Sequence, residues 1–184
     1  MNVQDLHAIY QLRIELSGIK PAIWRRLLVL NSTNLGEIHS YLQIVMGWRN
    51  SHMHQFLCDD VVYGVAEGMK NELNYRISQL LKKEGDSLSY EYDFGDGWQH
   101  ELILERITAF NKEQELPFCV GGRRADPPED IGGIPGYEMF LQTLANRDDP
   151  AHEDTLELEV EDFDPEYFDV NDVNDELRKY AKGG

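Results

Sequence analysis

Between residues 10 and 16 apolar and polar side chains alternate without a break. Tyr10, Leu12, Ile14 and Leu16 fall on one side, with Gln11, Arg13 and Glu15 on the other. A period of two predicts a half-buried strand. Gly18 and Pro21 punctuate it, and residues 23–30 follow as a second strand, apolar on both faces apart from Arg25 and Arg26. A hairpin-like pair is expected, with the second strand the more central. From residue 34 the period lengthens. Leu35, Ile38, Leu42 and Val45 recur at helical spacing, with Thr33 or Asn34 as the cap and Gly47 as the stop. Short strands are predicted at 54–58 and 61–63 across Asp59-Asp60, then a short helix around Ile77, Leu80 and Leu81, ending near Gly85. Residues 111–135 read as a long loop rich in Gly and Pro. Pro135 then opens a helix striped by Tyr137, Phe140, Leu141 and Leu144, and a last helix is predicted at 173–182, capped by Asn171 or Asp172.

Residues 88–107 read as strand, turn, strand around Gly95-Asp96-Gly97. A two-residue turn would set Asp93 opposite His100, but it would put Trp98, Leu102 and Leu104 on the face of Asp93, Glu91 and Ser89. A three-residue loop pairs Phe94 with Trp98, Tyr92 with His100, Tyr90 with Leu102 and Leu88 with Leu104. All apolar side chains then share one face, while Glu91, Asp93, Gln99 and Glu101 share the other. A one-residue slip exposes a whole apolar row, so burial selects the second register, with Gly97 in the left-handed position.

These elements predict a single α+β domain over residues 1–184. Its mainly antiparallel, twisted β-sheet is packed on one side by the helices at 34–47 and 137–146. At 184 residues the chain is long enough to bury a core without a disulfide or structural metal. Cys58 and Cys119 belong to no C-x-x-C pair and read as free buried thiols. Without a secretory-type start or a membrane-length apolar run, a cytoplasmic protein is expected. The net charge is −17, and residues 150–184 carry −9 of it, with 12 Asp and Glu against 3 Lys and Arg. That sign opposes direct, non-specific DNA binding and favours solubility or a basic protein partner.

Five motifs occur in order: Pro21-Ala22-Ile23-Trp24-Arg25-Arg26; Met46-Gly47-Trp48 at the helix end; His52-x-His54; Tyr92-Asp93-Phe94-Gly95-Asp96-x-Trp98-x-His100; and Pro127-Pro128-Glu129-Asp130-x-Gly132-Gly133-x-x-Gly136-Tyr137. Together they resemble the plasmid open-reading-frame-three-like family, named after a root-inducing plasmid, over roughly residues 8 to 180. The resemblance implies a setting on plasmids, beside insertion-sequence transposases or on chromosomes, and no particular activity. Many members carry cysteines where this chain has Asp126 and Ile131, so a thiol-metal or disulfide role does not transfer to it.

Residues two apart on an extended segment point the same way, so His52 and His54 could face one metal ion; the structural alternative packs one at the sheet margin and solvates the other. Asp93, Asp96 and His100 form a second polar group, in which the chosen register makes His100 a core-edge residue lying against Tyr92. Glu129 and Asp130 precede a helix start, where negative charge is stabilising by about 0.3–1 kcal/mol. If their loop folds over the hairpin, it brings them toward His52, His54 or His100, and three or four such ligands would make a metal-assisted hydrolytic site. Arg25, Arg26, Arg123 and Arg124 are candidate anion-binding residues, with pairing inside the fold as their alternative. The function expected first is a non-catalytic binding or accessory protein with a protein partner, linked to mobile elements through the resemblance alone. The alternative is a metal-dependent hydrolase using the His/Asp/Glu set and a divalent metal.

Overall fold

The alternation at residues 10–16 becomes the middle of β1 (Ala8–Leu16), which pairs antiparallel with β2 (Trp24–Leu30). The computed structural model describes residues 7–146 and 163–183. The remaining described elements are α1 (Leu35–Val45), β3 (His54–Cys58), β4 (Val61–Gly64), β5 (Lys70–Asn71), a 3-10 turn (Glu72–Asn74), α2 (Ile77–Leu80), β6 (Ser87–Tyr92), β7 (Trp98–Ala109), β8 (Phe118–Arg123), α3 (Gly133–Ala145) and α4 (Val170–Gly183). The eight described strands form one sheet in the order β5-β4-β3-β6-β7-β1-β2-β8, antiparallel except where β5 joins β4. This is an α+β architecture. No described helix is long and apolar enough to cross a membrane.

The inner face carries Leu12, Ile14, Leu16, Leu27, Val29, Leu88, Tyr90, Tyr92, Trp98, Leu102 and Leu104, all buried. α1 lies over it. Asn34 and Glu37 close a reciprocal capping box at its start, Gly47 turns left-handed just past its end, and His39 reaches Tyr90 from its buried stripe. α4 completes the cover. Asn174 bonds both backbone groups of Cys119 on β8, and Tyr180 meets Tyr41 of α1 edge-on. On the outer face Glu105 accepts from Gln11 and Arg26, and Gln55 donates to Glu91. Cys58 and Cys119 are free and buried.

Four expectations are corrected. β1, between β7 and β2, is more central than β2; the outer apolar side chain of Trp24 is covered by Arg13 and Arg26 instead of by a protein layer. Within the supposed 111–135 loop, residues 118–123 form β8 on the edge of β2. A Cβ at Gly122 would stand 2.8 Å from Arg25, Phe168 and the Trp24 carbonyl, so this strand needs a glycine to admit its neighbours. The last helix starts at Val170, not 173, because the Asp169 carboxylate accepts from the Asn171 N–H and the Asp169 carbonyl from that of Val173. The β6–β7 hairpin pairs Tyr92 with Trp98, Tyr90 with His100 and Leu88 with Leu102, leaving five loop residues, not three. The expected face is kept, but Phe94 leaves the strand and is 45% exposed.

Candidate functional site

The hairpin loop is set by Asp93. Its backbone is left-handed at φ 56, its N–H donates to the Met53 carbonyl, and its Oδ1 accepts the Gly95 N–H at 2.9 Å. This side-chain turn ends β6 at Tyr92 and swings the carboxylate inward, where it is 7% exposed and not on the outer face expected for it. The segment after α1 is held just as firmly. Trp48 N–H donates to the Gln43 carbonyl, and Asn50, at φ 54, donates to the Gln43 side chain while its own Oδ1 meets His39. That places His52 against the hairpin. The loop after β8 supplies Glu129 and Asp130, the latter also left-handed at φ 57. Asn and Asp adopt this left-handed backbone at little cost, so Asn50, Asp93 and Asp130 fix three sharp turns around one point.

His52 Nε2 stands 3.6 Å from Asp93 Oδ2, 3.3 Å from Glu129 Oε2 and 3.0 Å from Asp130 Oδ1. None of these contacts has hydrogen-bond geometry, and the nitrogen itself is shielded from solvent. One ligand atom each from His52, Asp93 and Asp130 lies within 4.8 Å of the others. Glu129 is oriented from behind. Its Oε1 accepts the Arg49 N–H at 2.6 Å and the Tyr92 hydroxyl at 3.1 Å, and its Oε2 accepts the Ser51 hydroxyl at 3.0 Å. Burial pushes the Tyr92 phenol above its ordinary pKa, which keeps it a donor. Asp96 does not join the cluster; its Oδ2 accepts the Gly132 N–H at 3.0 Å and ties the carboxylate loop to the hairpin.

The other sequence candidates are placed elsewhere. His54 points under α1, with Nε2 2.8 Å from Glu72 and its ring stacked on His39 at 3.5 Å. The two histidines of the His-x-His pair therefore do not face one point. The chain bends at His52, which precedes β3, so only His54 follows the pleat of the strand. His100 lies on the inner face with Nδ1 bonded to the Trp98 carbonyl, and burial lowers its pKa to about 4. No Asp93–His100 couple forms. Arg26 is held by Glu105, Arg124 by Glu166 and the Pro21 carbonyl, and Arg25 by Asp126 and three carbonyls, leaving Arg123 as the exposed member of the set. Sequence reasoning missed Ser51, Tyr92 and the Arg49 amide as supports for Glu129. Tyr92 was visible only as an inner-face aromatic, and nothing local marks its hydroxyl as a carboxylate partner.

The model of the plasmid pRiA4b ORF-3-like proteins matches residues 8–172. The chain is similar to the uncharacterized protein y4hQ of Sinorhizobium fredii, with 37% identity over 159 residues, 82% of this chain and 80% of that protein. It is also similar to the crystal structure of MM3350, a protein of unknown function from Methanosarcina mazei, with a TM-score of 0.84 and 34% identity over 91% of this chain and 98% of that one.

Proposed function

This chain belongs to the plasmid pRiA4b ORF-3-like family, and since the two relatives described above are uncharacterized or of unknown function, we propose from the site itself that it binds a divalent metal ion and supports metal-assisted hydrolysis. The observation that carries the reading is the His52 nitrogen, enclosed by three carboxylates and donating to none. Ligand atoms about 2.1 Å from one ion, at tetrahedral to octahedral angles, stand about 3.0–3.5 Å apart; the carboxylates here lie 3.0–3.6 Å from the nitrogen, and the His52, Asp93 and Asp130 ligand atoms lie within 4.8 Å of one another, so a small closing movement would bring them onto one ion. The His52 imidazole and the Asp93 and Asp130 carboxylates, with Glu129 beside them, suit manganese, zinc or magnesium better than a thiolate-seeking ion. Asp130 is 74% exposed on its side chain, so the site is open to solvent on one side. An ion held there would polarise a substrate oxygen and acidify a bound water. The test is metal analysis and Mn2+ titration of protein purified without a histidine tag. About one ion per chain, lost in His52→Ala and Asp93→Asn, is the expected result; no binding at millimolar Mn2+ would overturn the reading.

A second reading, an accessory protein engaged by a basic protein partner, is supported by the net charge of −17. It expects partners recovered by crosslinking in cells to be rich in Lys and Arg, with recovery that falls as salt rises. Salt-insensitive, acidic partners would count against it.

A further inference from the structure

Under α1, four residues close a ring of hydrogen bonds. Gln43 Nε2 donates to the Tyr90 hydroxyl at 2.9 Å, and that hydroxyl lies 2.9 Å from His39 Nδ1. His39 Nε2 lies 2.9 Å from Asn50 Oδ1, and the Asn50 N–H returns to Gln43 Oε1 at 2.8 Å. His39 and Gln43 are four residues apart on α1 and so share its inner stripe, while Tyr90 meets them from β6. All three are buried.

One donor fixes the direction of every other. The Asn50 backbone N–H can only donate, so Gln43 faces it with its oxygen and turns its amide nitrogen to Tyr90. The Tyr90 oxygen accepts from that nitrogen, which leaves its own hydrogen for His39 Nδ1. Nδ1 is then an acceptor, so the imidazole proton sits on Nε2 and is given to the Asn50 side-chain oxygen. His39 is therefore the neutral Nε2–H tautomer, in keeping with a pKa lowered to about 4 by burial and by the neighbouring His54 ring. Each member gives one hydrogen and takes one. Reversing any of them sets two donors or two acceptors face to face inside the protein, where that is costly.

The ring ends on the segment that carries His52. Residues 48–51 donate all four of their backbone N–H groups: Trp48 to the Gln43 carbonyl, Arg49 to Glu129 Oε1, Asn50 to Gln43 Oε1 and Ser51 to the Tyr92 hydroxyl. Two of the four go to Gln43. We propose that His39, Gln43 and Tyr90 are positioning residues for the cluster: their ring holds Asn50 in its left-handed turn and through it sets His52 among Asp93, Glu129 and Asp130. None of the three offers a ligand atom to the cluster. The consequence for ion binding rests on the metal reading; the placement of His52 does not. Partners that orient a ligand from behind in this way commonly change metal affinity by about 10–100-fold when removed.

The test has a metal-free arm and a metal arm. In metal-free protein, long-range 1H–15N NMR should show His39 as the Nε2–H tautomer, and Tyr90→Phe should shift the His52 ring signals. Tyr10→Phe, which takes another buried hydroxyl from the Leu81 carbonyl, should leave them in place. With Mn2+, followed by electron paramagnetic resonance, Tyr90→Phe and His39→Leu should each weaken binding about tenfold or more. His39→Gln, which keeps one donor and one acceptor, should lose less, and Tyr10→Phe should bind as the parent does. The Nδ1–H tautomer, His52 signals that stay put in Tyr90→Phe or move equally in Tyr10→Phe, or full Mn2+ affinity in Tyr90→Phe would overturn the proposal. Absence of Mn2+ binding by the parent would remove the metal reading alone, and the metal-free spectra would still decide whether the ring positions His52.

Discussion

The carboxyl group of Asp126 lies inside the protein against Arg25, and burial lifts its pKa to about 7 despite that neighbour. His39 and His100 are displaced the other way; burial lowers each to about 4, so both are neutral in the fold. The signs oppose. A raised carboxyl favours the folded state most below about pH 4 and loses that contribution as pH rises to about 7. A lowered imidazole contributes fully above about 6.5 and loses it as pH falls to about 4. Two histidines outweigh one aspartate, so these groups together make the protein less stable on acidification from pH 6.5 to 4. Asp126→Asn removes the opposing member and should steepen that loss by about 1.4 kcal/mol per pH unit, read from urea unfolding across the range. An unchanged slope would mean that Asp126 is ionised throughout. Asp130 offers the complementary case at the surface. Its side chain is exposed, so Asp130→Asn should leave metal-free stability within about 0.5 kcal/mol while weakening Mn2+ at least tenfold.

At the level of elements, the apolar row of β6 and β7 was legible and its loop was not, for one physical reason. Burial distinguishes registers that differ by one residue, because every side chain changes face; it is nearly blind to a shift of one further pair, which keeps each side chain where it was. The choice then falls to Asp93, whose side-chain turn ends the strand, and that interaction leaves no periodic trace. The same limit hid β8. Its Gly121 and Gly122 read as loop, and only the arrival of Arg25 and Phe168 from distant segments explains the missing side chain. Helix α1 was legible because its cap and stripe are local. Two glycines separate conformation from contact at the site. Gly97 is left-handed with nothing within 4 Å of an added Cβ, so Gly97→Ala should cost roughly 1 kcal/mol and leave Mn2+ affinity unchanged. Gly133 is also left-handed, but an added Cβ would come within 2.6 Å of the Asp96 carbonyl. Gly133→Ala should therefore cost more and weaken Mn2+, because it pushes the carboxylate loop off the hairpin. Equal costs for the two variants would remove that loop contact as a positioning device.

Across the whole molecule, the cluster joins three segments far apart in sequence: the exit of α1 at His52, the hairpin at Asp93, and the loop after β8 at Glu129 and Asp130. Their residue types could be read from the sequence, but their convergence depends on β3, β6 and β7 lying side by side and on the loop folding over them. In a chain of net charge −17, three carboxylates around one nitrogen add local repulsion that a bound cation would relieve. An ion binding the folded arrangement and not the dispersed chain stabilises by mass action, about 2.7 kcal/mol at one hundred times its dissociation constant. For a chain of this length that raises the midpoint of thermal unfolding by about 5–10 °C. The shift should grow with the logarithm of Mn2+ concentration, reverse with EDTA and vanish in Asp93→Asn. The same shift from any divalent salt, in the variant as well as the parent, would instead mean diffuse screening of the acidic surface, because screening depends on total charge and is indifferent to one inward carboxylate.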